Sequence, residues 1–134
     1  MNQYELLMLN KPFTRFRQGQ FILALVIYTS LLLMPNPRIS SADLSDFVLH
    51  ALGNAILVLS TWLASGGRYK GVGPLLFVLP FSLFTELAQG LTDNRTPQMV
   101  DIGANFIGAF IGFILCFILD FIVEKLRNRP VATS

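Results

Sequence analysis

Charged residues are scarce in this chain: they make up 13% of its 134 residues, whereas 53% of the residues are hydrophobic. A water-soluble globular domain ordinarily has roughly a quarter of its residues charged. A chain with so few charges cannot cover a water-facing surface, and its mean hydropathy of +0.58 agrees with that conclusion. Lipid is therefore the expected solvent for much of the protein.

Cysteine is almost absent as well. The one cysteine, Cys116, excludes an intramolecular disulfide and a CxxC-type metal or redox site. No metal-binding motif of recognised spacing is present, so neither a metal nor another cofactor is predicted. The net charge is only +2, which gives no reason to predict a nucleic-acid partner. The length permits one domain, spanning residues 1–134.

The sequence does contain four long apolar stretches, which predict helices at about residues 16–34, 47–64, 72–91 and 102–123. Each stretch approaches the ~20 residues that a helix needs to cross a bilayer. Pro80 lies inside the third stretch, where we expect it to kink the helix. The alternating polarity of membrane β-strands is missing. The predicted fold class is an all-α membrane protein, a bundle of four transmembrane helices.

The basic residues orient this bundle. Only Arg38 and Arg95 lie in the first and third loops, and the other eight lie on the opposite side: Lys11, Arg15, Arg17, Arg68, Lys70, Lys125, Arg127 and Arg129. Because basic loops stay in the cytoplasm, both termini are predicted to be cytoplasmic. The alternative is that the first stretch is a cleaved signal peptide ending near Ser40-Ser41-Ala42, but the basic segment before it is long for that.

Several polar residues lie within or beside the apolar helices, where they are unfavourable unless paired. Asp46, His50 and Asn54 follow one another at intervals of four, which places them on one face of the second helix. The predicted topology brings seven polar residues, from three helices and a loop, to the extracytoplasmic interface: Asp46, His50, Glu86, Gln89, Arg95, Asp101 and Asn105.

Most of these residues also have a structural explanation. Asp46, Asp101 and Asn105 suit helix N-termini, where Asp and Asn act as caps and carboxylates face the positive end of the helix dipole. Asn54 and Gln89 suit hydrogen bonds between helices. The structural interpretation therefore stays open at this point.

Glu86 favours a functional site. A carboxylate well inside an apolar helix is unfavourable unless it is paired, and such residues mark functional sites by default. Its candidate partners are His50 and Arg95, although Arg95 also suits a simple contact with lipid phosphate. We predict His50 and Glu86 as candidate catalytic residues, and as binding residues Asp46, Asn54, Gln89, Arg95, Asp101 and Asn105.

The fourth helix has a stripe of small residues at every fourth position: Ala104, Gly108, Gly112 and Cys116. Such a stripe lets another helix approach closely. The pattern is the same for packing within the chain and for association with a second copy or another envelope protein, so both stay open. Cys116 is interpreted as a small packing residue rather than a reactive thiol.

The spacing of these residues resembles the VanZ-like family of small bacterial membrane proteins. The resemblance covers about residues 46–112, and it rests on Asp46-x-x-x-His50, Glu86-x-x-Gln89 and Arg95-Thr-Pro-x-x-x-Asp101-x-x-x-Asn105-x-x-Gly108-x-x-x-Gly112. The family pattern has a tyrosine four residues after the histidine, where this chain has Asn54. The resemblance implies the bacterial cytoplasmic membrane and a link to the cell envelope, to glycopeptide resistance and to lipid-linked precursors. It implies no defined reaction.

Three functions follow from the sequence. The first is binding or modification of an anionic headgroup, a phospholipid or a polyprenyl phosphate, at the outer leaflet; a reaction there would be phosphate-ester hydrolysis or transfer. Binding is favoured over catalysis because His50 is the only evident nucleophile. The second function is a structural or accessory subunit of an envelope assembly. The third, transport, is disfavoured because transporter sites lie near the bilayer midplane between repeats.

Overall fold

The computed structural model describes residues 10–33, 44–91 and 99–128. Four helices account for nearly all of them: α1 (Lys11–Leu33), α2 (Leu44–Ser65), α3 (Val72–Gln89) and α4 (Met99–Arg127). Each helix is long and apolar enough to cross a membrane, and no strand occurs within these ranges. The predicted bundle of four transmembrane helices is confirmed.

The helix ends differ from the bounds predicted from hydropathy alone. α1 begins at Lys11 rather than near residue 16, because Asn10 suits the N-cap and Pro12 suits the first turn. The carbonyl of Asn10 accepts a hydrogen bond from the N–H of Thr14 at 2.9 Å, which starts the helix there. α4 extends beyond its predicted apolar core at both ends. α3 continues through Pro80 as one helix.

Two glycines end α2 and turn the chain toward α3. Gly66 and Gly67 have φ angles of 66° and 70°, a left-handed conformation that glycine adopts without a steric penalty. The N–H of Gly67 donates to the carbonyl of Trp62 at 3.2 Å, so a carbonyl left over at the helix end is satisfied. Only a short turn therefore separates α2 from α3.

α2 is the central helix, since its contacts with the other three helices are the most extensive in the bundle. It runs antiparallel to α1, where the side chains of Gln20 and Ser60 are hydrogen-bonded at 2.6 Å. It runs parallel to α4, and the paired contacts follow one register along both helices: Ala51 with Gly108, Ala55 with Gly112, Val58 with Cys116 and Trp62 with Asp120. α2 and α4 together form the core against which α1 and α3 pack.

The small-residue stripe of α4 packs against α2 of the same chain. All four of its residues are buried: Ala104, Gly108, Gly112 and Cys116. Gly108 lies so close to the backbone carbonyl of Ala51 that no side-chain carbon fits between them, and a Cβ on Gly112 would lie 2.8 Å from the carbonyl oxygen of Ala55. The sequence left the partner of this stripe open, and the structure assigns it to α2.

The outer surface of the bundle is apolar over its whole circumference. Large hydrophobic side chains from every helix are more than half exposed, among them Leu23, Leu52, Leu76, Phe84, Phe110 and Phe117. Exposed apolar area on this scale is incompatible with water as the solvent. The surface therefore faces the hydrocarbon chains of a bilayer, as four membrane-spanning helices require.

The contact between α4 and α2 leads to a first prediction. Gly108→Ala should lower the melting temperature of the protein, because the added methyl group meets the backbone of α2 and overpacking ordinarily costs about 1–3 kcal/mol. Gly103→Ala is the matched control, since a Cβ at Gly103 has nothing within 4 Å. Unfolding is measured in detergent with a thiol-reactive dye, which reports exposure of the buried Cys116. Equal melting temperatures for the two variants would contradict the assigned contact.

Candidate functional site

The polar residues identified in the sequence lie at one end of the bundle. They occupy the first turns of α2 and α4 and the last turns of α3, and all but one of those described are buried: His50, Asn54, Glu86, Gln89, Asp101 and Asn105. Asp46 is half-buried. Arg95 lies outside the described residues. We use the name polar cluster for the residues that meet here from α1, α2 and α4: Tyr28, Asp46, His50, Asn54, Asp101 and Asn105.

Asn105 lies at the centre of the polar cluster. Its side-chain oxygen accepts a hydrogen bond from Nδ2 of Asn54 at 2.6 Å and lies 3.0 Å from Nδ1 of His50. An amide oxygen can only accept, so Nδ1 of His50 carries the proton in this contact. In the neutral ring, Nε2 of His50 then has an available lone pair.

Tyr28 joins the polar cluster from α1. Its hydroxyl lies 2.8 Å from Nδ2 of Asn54, and the same nitrogen lies 2.9 Å from the backbone carbonyl of His50. Three oxygen acceptors surround the Asn54 amide nitrogen and fix its orientation. The sequence analysis missed Tyr28 because it lies within an apolar stretch.

Two carboxylates lie close to the imidazole of His50. Asp46 lies one turn before His50 on α2, and Asp101 lies one turn before Asn105 on α4. One ligand atom from each of Asp46, His50 and Asp101 lies within 4.8 Å of the other two. The carboxylates also lie at the N-terminal ends of their helices, where the helix dipole favours negative charge. Sequence spacing does not show this group of three, because it depends on the register between two helices.

Three buried polar atoms of the cluster have no hydrogen-bond partner within residues 10–33, 44–91 and 99–128: Nε2 of His50, Oδ1 of Asn54 and Nδ2 of Asn105. Buried polar groups in folded proteins are almost always hydrogen-bonded. In a network that serves packing alone, each donor is expected to meet an acceptor. The cluster therefore has one donor, Nδ2 of Asn105, and two acceptors, Nε2 of His50 and Oδ1 of Asn54, that its internal hydrogen bonds do not use.

Glu86 and Gln89 lie buried on α3 and differ in their surroundings. Nε2 of Gln89 donates to the backbone carbonyl of Leu32 at 2.6 Å, which satisfies a carbonyl in the last turn of α1. This contact matches the structural interpretation of Gln89. Glu86 is 3% exposed and interacts electrostatically with Tyr28. It therefore adjoins the polar cluster from the third helix.

An apolar groove of about 390 Å³ runs between α1 and α2 and ends at the polar cluster. Its walls are mainly aliphatic, with Asp46 and Tyr28 also lining it: Leu23, Ile27, Leu31, Leu49, Leu52 and Ile56. Along α1 the groove extends from Gln20 to Leu32, which is about 18 Å at 1.5 Å per residue. One leaflet of a bilayer contributes about 15 Å of hydrocarbon. The groove therefore has the depth of one leaflet.

The opposite end of the bundle has most of the described basic residues. Arg15, Arg68, Lys70 and Lys125 are exposed there. Nε1 of Trp62 donates to Oδ1 of Asp120 at 2.8 Å, which joins α2 to α4 at this end. The two ends of the bundle thus differ in charge: the described basic residues lie at one end, together with Asp120 and Glu124, whereas the other end has acidic and amide side chains and no described basic residue.

No family model, no curated protein and no solved structure matches this chain. The polar cluster and the groove are therefore the features of the chain that bear on its function.

The hydrogen bonds of the cluster lead to a second prediction. Asn105→Leu removes the shared acceptor of His50 and Asn54, and leaving such buried donors unpaired costs about 1–3 kcal/mol. Tyr28→Phe should lower stability less, because the Asn54 amide keeps two other acceptors. Melting temperatures are compared by the accessibility of Cys116. If Tyr28→Phe proves as destabilising as Asn105→Leu, the central position of Asn105 in the network is wrong.

Proposed function

We propose that this protein binds the phosphate-containing headgroup of an anionic lipid, or of a lipid-linked envelope precursor, at the outer leaflet of a bacterial cytoplasmic membrane. One observation above all supports this proposal. A buried polar cluster with available donor and acceptor atoms lies at the end of a lipid-facing apolar groove. The two features correspond to the two parts of a lipid, and membership of the VanZ-like family is part of the same proposal.

The hydrocarbon chain of the lipid would lie in the groove between α1 and α2. The groove faces the membrane, it is lined by half-exposed aliphatic side chains, and it has the depth of one leaflet. A chain lying there would place its headgroup beside Asp46 and Tyr28. Binding pockets of this kind are mainly apolar with a few polar groups that fix orientation.

The headgroup would be held by the polar cluster. Nδ2 of Asn105 is a donor suited to a phosphate oxygen, and Nε2 of His50 is an acceptor suited to a hydroxyl. Arg95, in the loop before α4, is one of the two basic residues that the sequence supplies on this side, the other being Arg38. We propose binding rather than a reaction.

The outer leaflet is favoured by the distribution of charge. The described basic residues gather at the end of the bundle away from the polar cluster. Basic segments of membrane proteins stay in the cytoplasm. The cluster would then lie on the extracytoplasmic side, where envelope precursors are exposed.

A second candidate function is that of a structural or accessory subunit of an envelope assembly. The bond from Gln89 to the carbonyl of Leu32 favours it, because this residue serves helix packing. Under this alternative the whole polar cluster would serve packing as well. Replacing one of its members would then lower stability rather than remove a ligand.

Native mass spectrometry of protein extracted from membranes tests the proposal. We expect the wild type to retain a phospholipid or a polyprenyl phosphate. Glu86→Gln and Arg95→Ala should lose this lipid while their melting temperatures stay within a few degrees of the wild type. Arg68→Ala is the matched control for Arg95→Ala, because Arg68 is an exposed loop arginine at the other end of the bundle.

Two further variants in the same experiment address the groove. Ala24→Trp fills the groove and should displace the lipid, whereas Ile114→Trp enlarges an exposed residue of α4 outside the groove and should not. A wild-type protein that retains no specific lipid, together with marked destabilisation of Glu86→Gln and Arg95→Ala, would refute lipid binding. That outcome would support the structural alternative.

A further inference from the structure

We propose that Asp46, His50 and Asp101 bind a divalent transition-metal ion, such as Zn²⁺ or Mn²⁺, at the end of the groove. The group combines two carboxylates and one imidazole from two different helices, with one ligand atom from each within 4.8 Å of the others. The ion binds independently of any lipid. Its second role, contact with a lipid phosphate, rests on the proposed function.

The spacing of the three side chains suits a metal ion. Metal–nitrogen and metal–oxygen bonds in zinc sites are about 2.0–2.2 Å long, so two ligand atoms on one ion lie at most about 4.4 Å apart. A small inward movement of the side chains would bring all three onto one ion. Their backbones are held by α2 and α4, which pack directly against each other at Gly108.

His50 provides an independent indication of a ligand. It is 1% exposed, and its Nε2 has no hydrogen-bond partner in the described part of the chain. Its Nδ1 contacts the side-chain oxygen of Asn105 at 3.0 Å, so the lone pair is on Nε2. Metal-binding histidines characteristically donate the other ring N–H to an oxygen acceptor in this way. Asn105 is held in turn by Asn54, so the ring orientation is fixed before an ion binds.

The ligand set indicates the class of ion. An imidazole nitrogen favours Zn²⁺ and other transition metals over Mg²⁺ and Ca²⁺, which prefer oxygen ligands alone. The two positive charges of the ion would balance the two carboxylates, which makes their burial less unfavourable. Three protein ligands leave at least one coordination position open.

The open position connects the ion to the proposed ligand. An acidic cluster by itself repels an anionic headgroup, whereas a cluster that contains a divalent ion can coordinate a phosphate oxygen. The chain's own Arg95 is a competing source of positive charge on this side. A headgroup held by the ion requires metal binding, whereas a headgroup held by Arg95 does not.

Metal binding is measured by isothermal titration calorimetry of the detergent-purified, EDTA-treated protein with ZnCl₂ and MnCl₂. We expect the wild type to bind one ion per chain. We expect metal affinity to fall at least about tenfold in each of three variants, Asp46→Asn, Asp101→Asn and His50→Gln. Even mutation of residues that only hydrogen-bond to a metal ligand typically lowers metal affinity by about 10- to 100-fold. Asp120→Asn is the matched control, because it removes a carboxylate that bonds Trp62 at the opposite end of α4.

Asp46→Asn keeps the test decisive if a buried variant fails to fold. Asp46 is half-buried in the first turn of α2, and asparagine has nearly the same size and shape as aspartate, so this variant is expected to fold. A folded Asp46→Asn protein that binds zinc as tightly as the wild type would overturn the assignment. Absence of binding in the wild type, or an equal loss in Asp120→Asn, would also overturn it.

Lipid retention in the EDTA-treated and zinc-loaded proteins separates this inference from the proposed function. Retention that depends on zinc supports a metal ion bridging to phosphate. A bound ion without any retained lipid leaves the metal site standing and removes the proposed function. Retained lipid without a bound ion leaves the proposed function standing and overturns the metal site.

Discussion

The contact of α4 with α2 at Gly108 and Gly112 is the constraint on which the polar cluster depends. With no side chain between the two backbones, the register of the helices is fixed to within a fraction of a turn. That register places His50 beside Asn105 and brings Asp46 to Asp101. A shift of one residue along α4 would turn its side chains by about 100° and separate these groups. The glycines thus determine the geometry of the site without belonging to it.

The polar cluster uses part of its hydrogen-bonding capacity internally and leaves part of it unused. A continuous series of hydrogen bonds joins α1, α2 and α4 inside the bundle, and it runs through Tyr28, Asn54, Asn105 and His50. The atoms without partners among the described residues lie on the same side chains as those bonds. Each of these atoms is therefore held in place by a bond made elsewhere on its own side chain. Such fixed side chains with unused hydrogen-bonding atoms are what the proposed binding of a ligand requires.

Hydropathy predicted the four-helix bundle, and residue spacing with the helix order predicted that the polar residues gather at one end of it. Both predictions need only the local sequence. The fold followed from four apolar stretches, and the shared end of the bundle followed from the alternating direction of the helices. Tyr28 was missed since hydropathy counts it with its apolar neighbours. The sequence placed Asp46, His50 and Asp101 at one level of the bundle, but their close approach was not predicted, because it depends on the register between α2 and α4. The small-residue stripe was recognised, but its partner helix required the structure.

The central claim is that the polar cluster receives a ligand, and ¹⁵N NMR of His50 tests it most directly. His50 is the only histidine of the chain, so selective labelling yields one imidazole spectrum. In nanodiscs of zwitterionic lipid we expect a protonated Nδ1 and an unprotonated Nε2. Adding anionic phospholipid should shift the Nε2 signal more than the Nδ1 signal. A protonated Nε2 whose signal is indifferent to anionic lipid would contradict the claim and leave the cluster as a packing network.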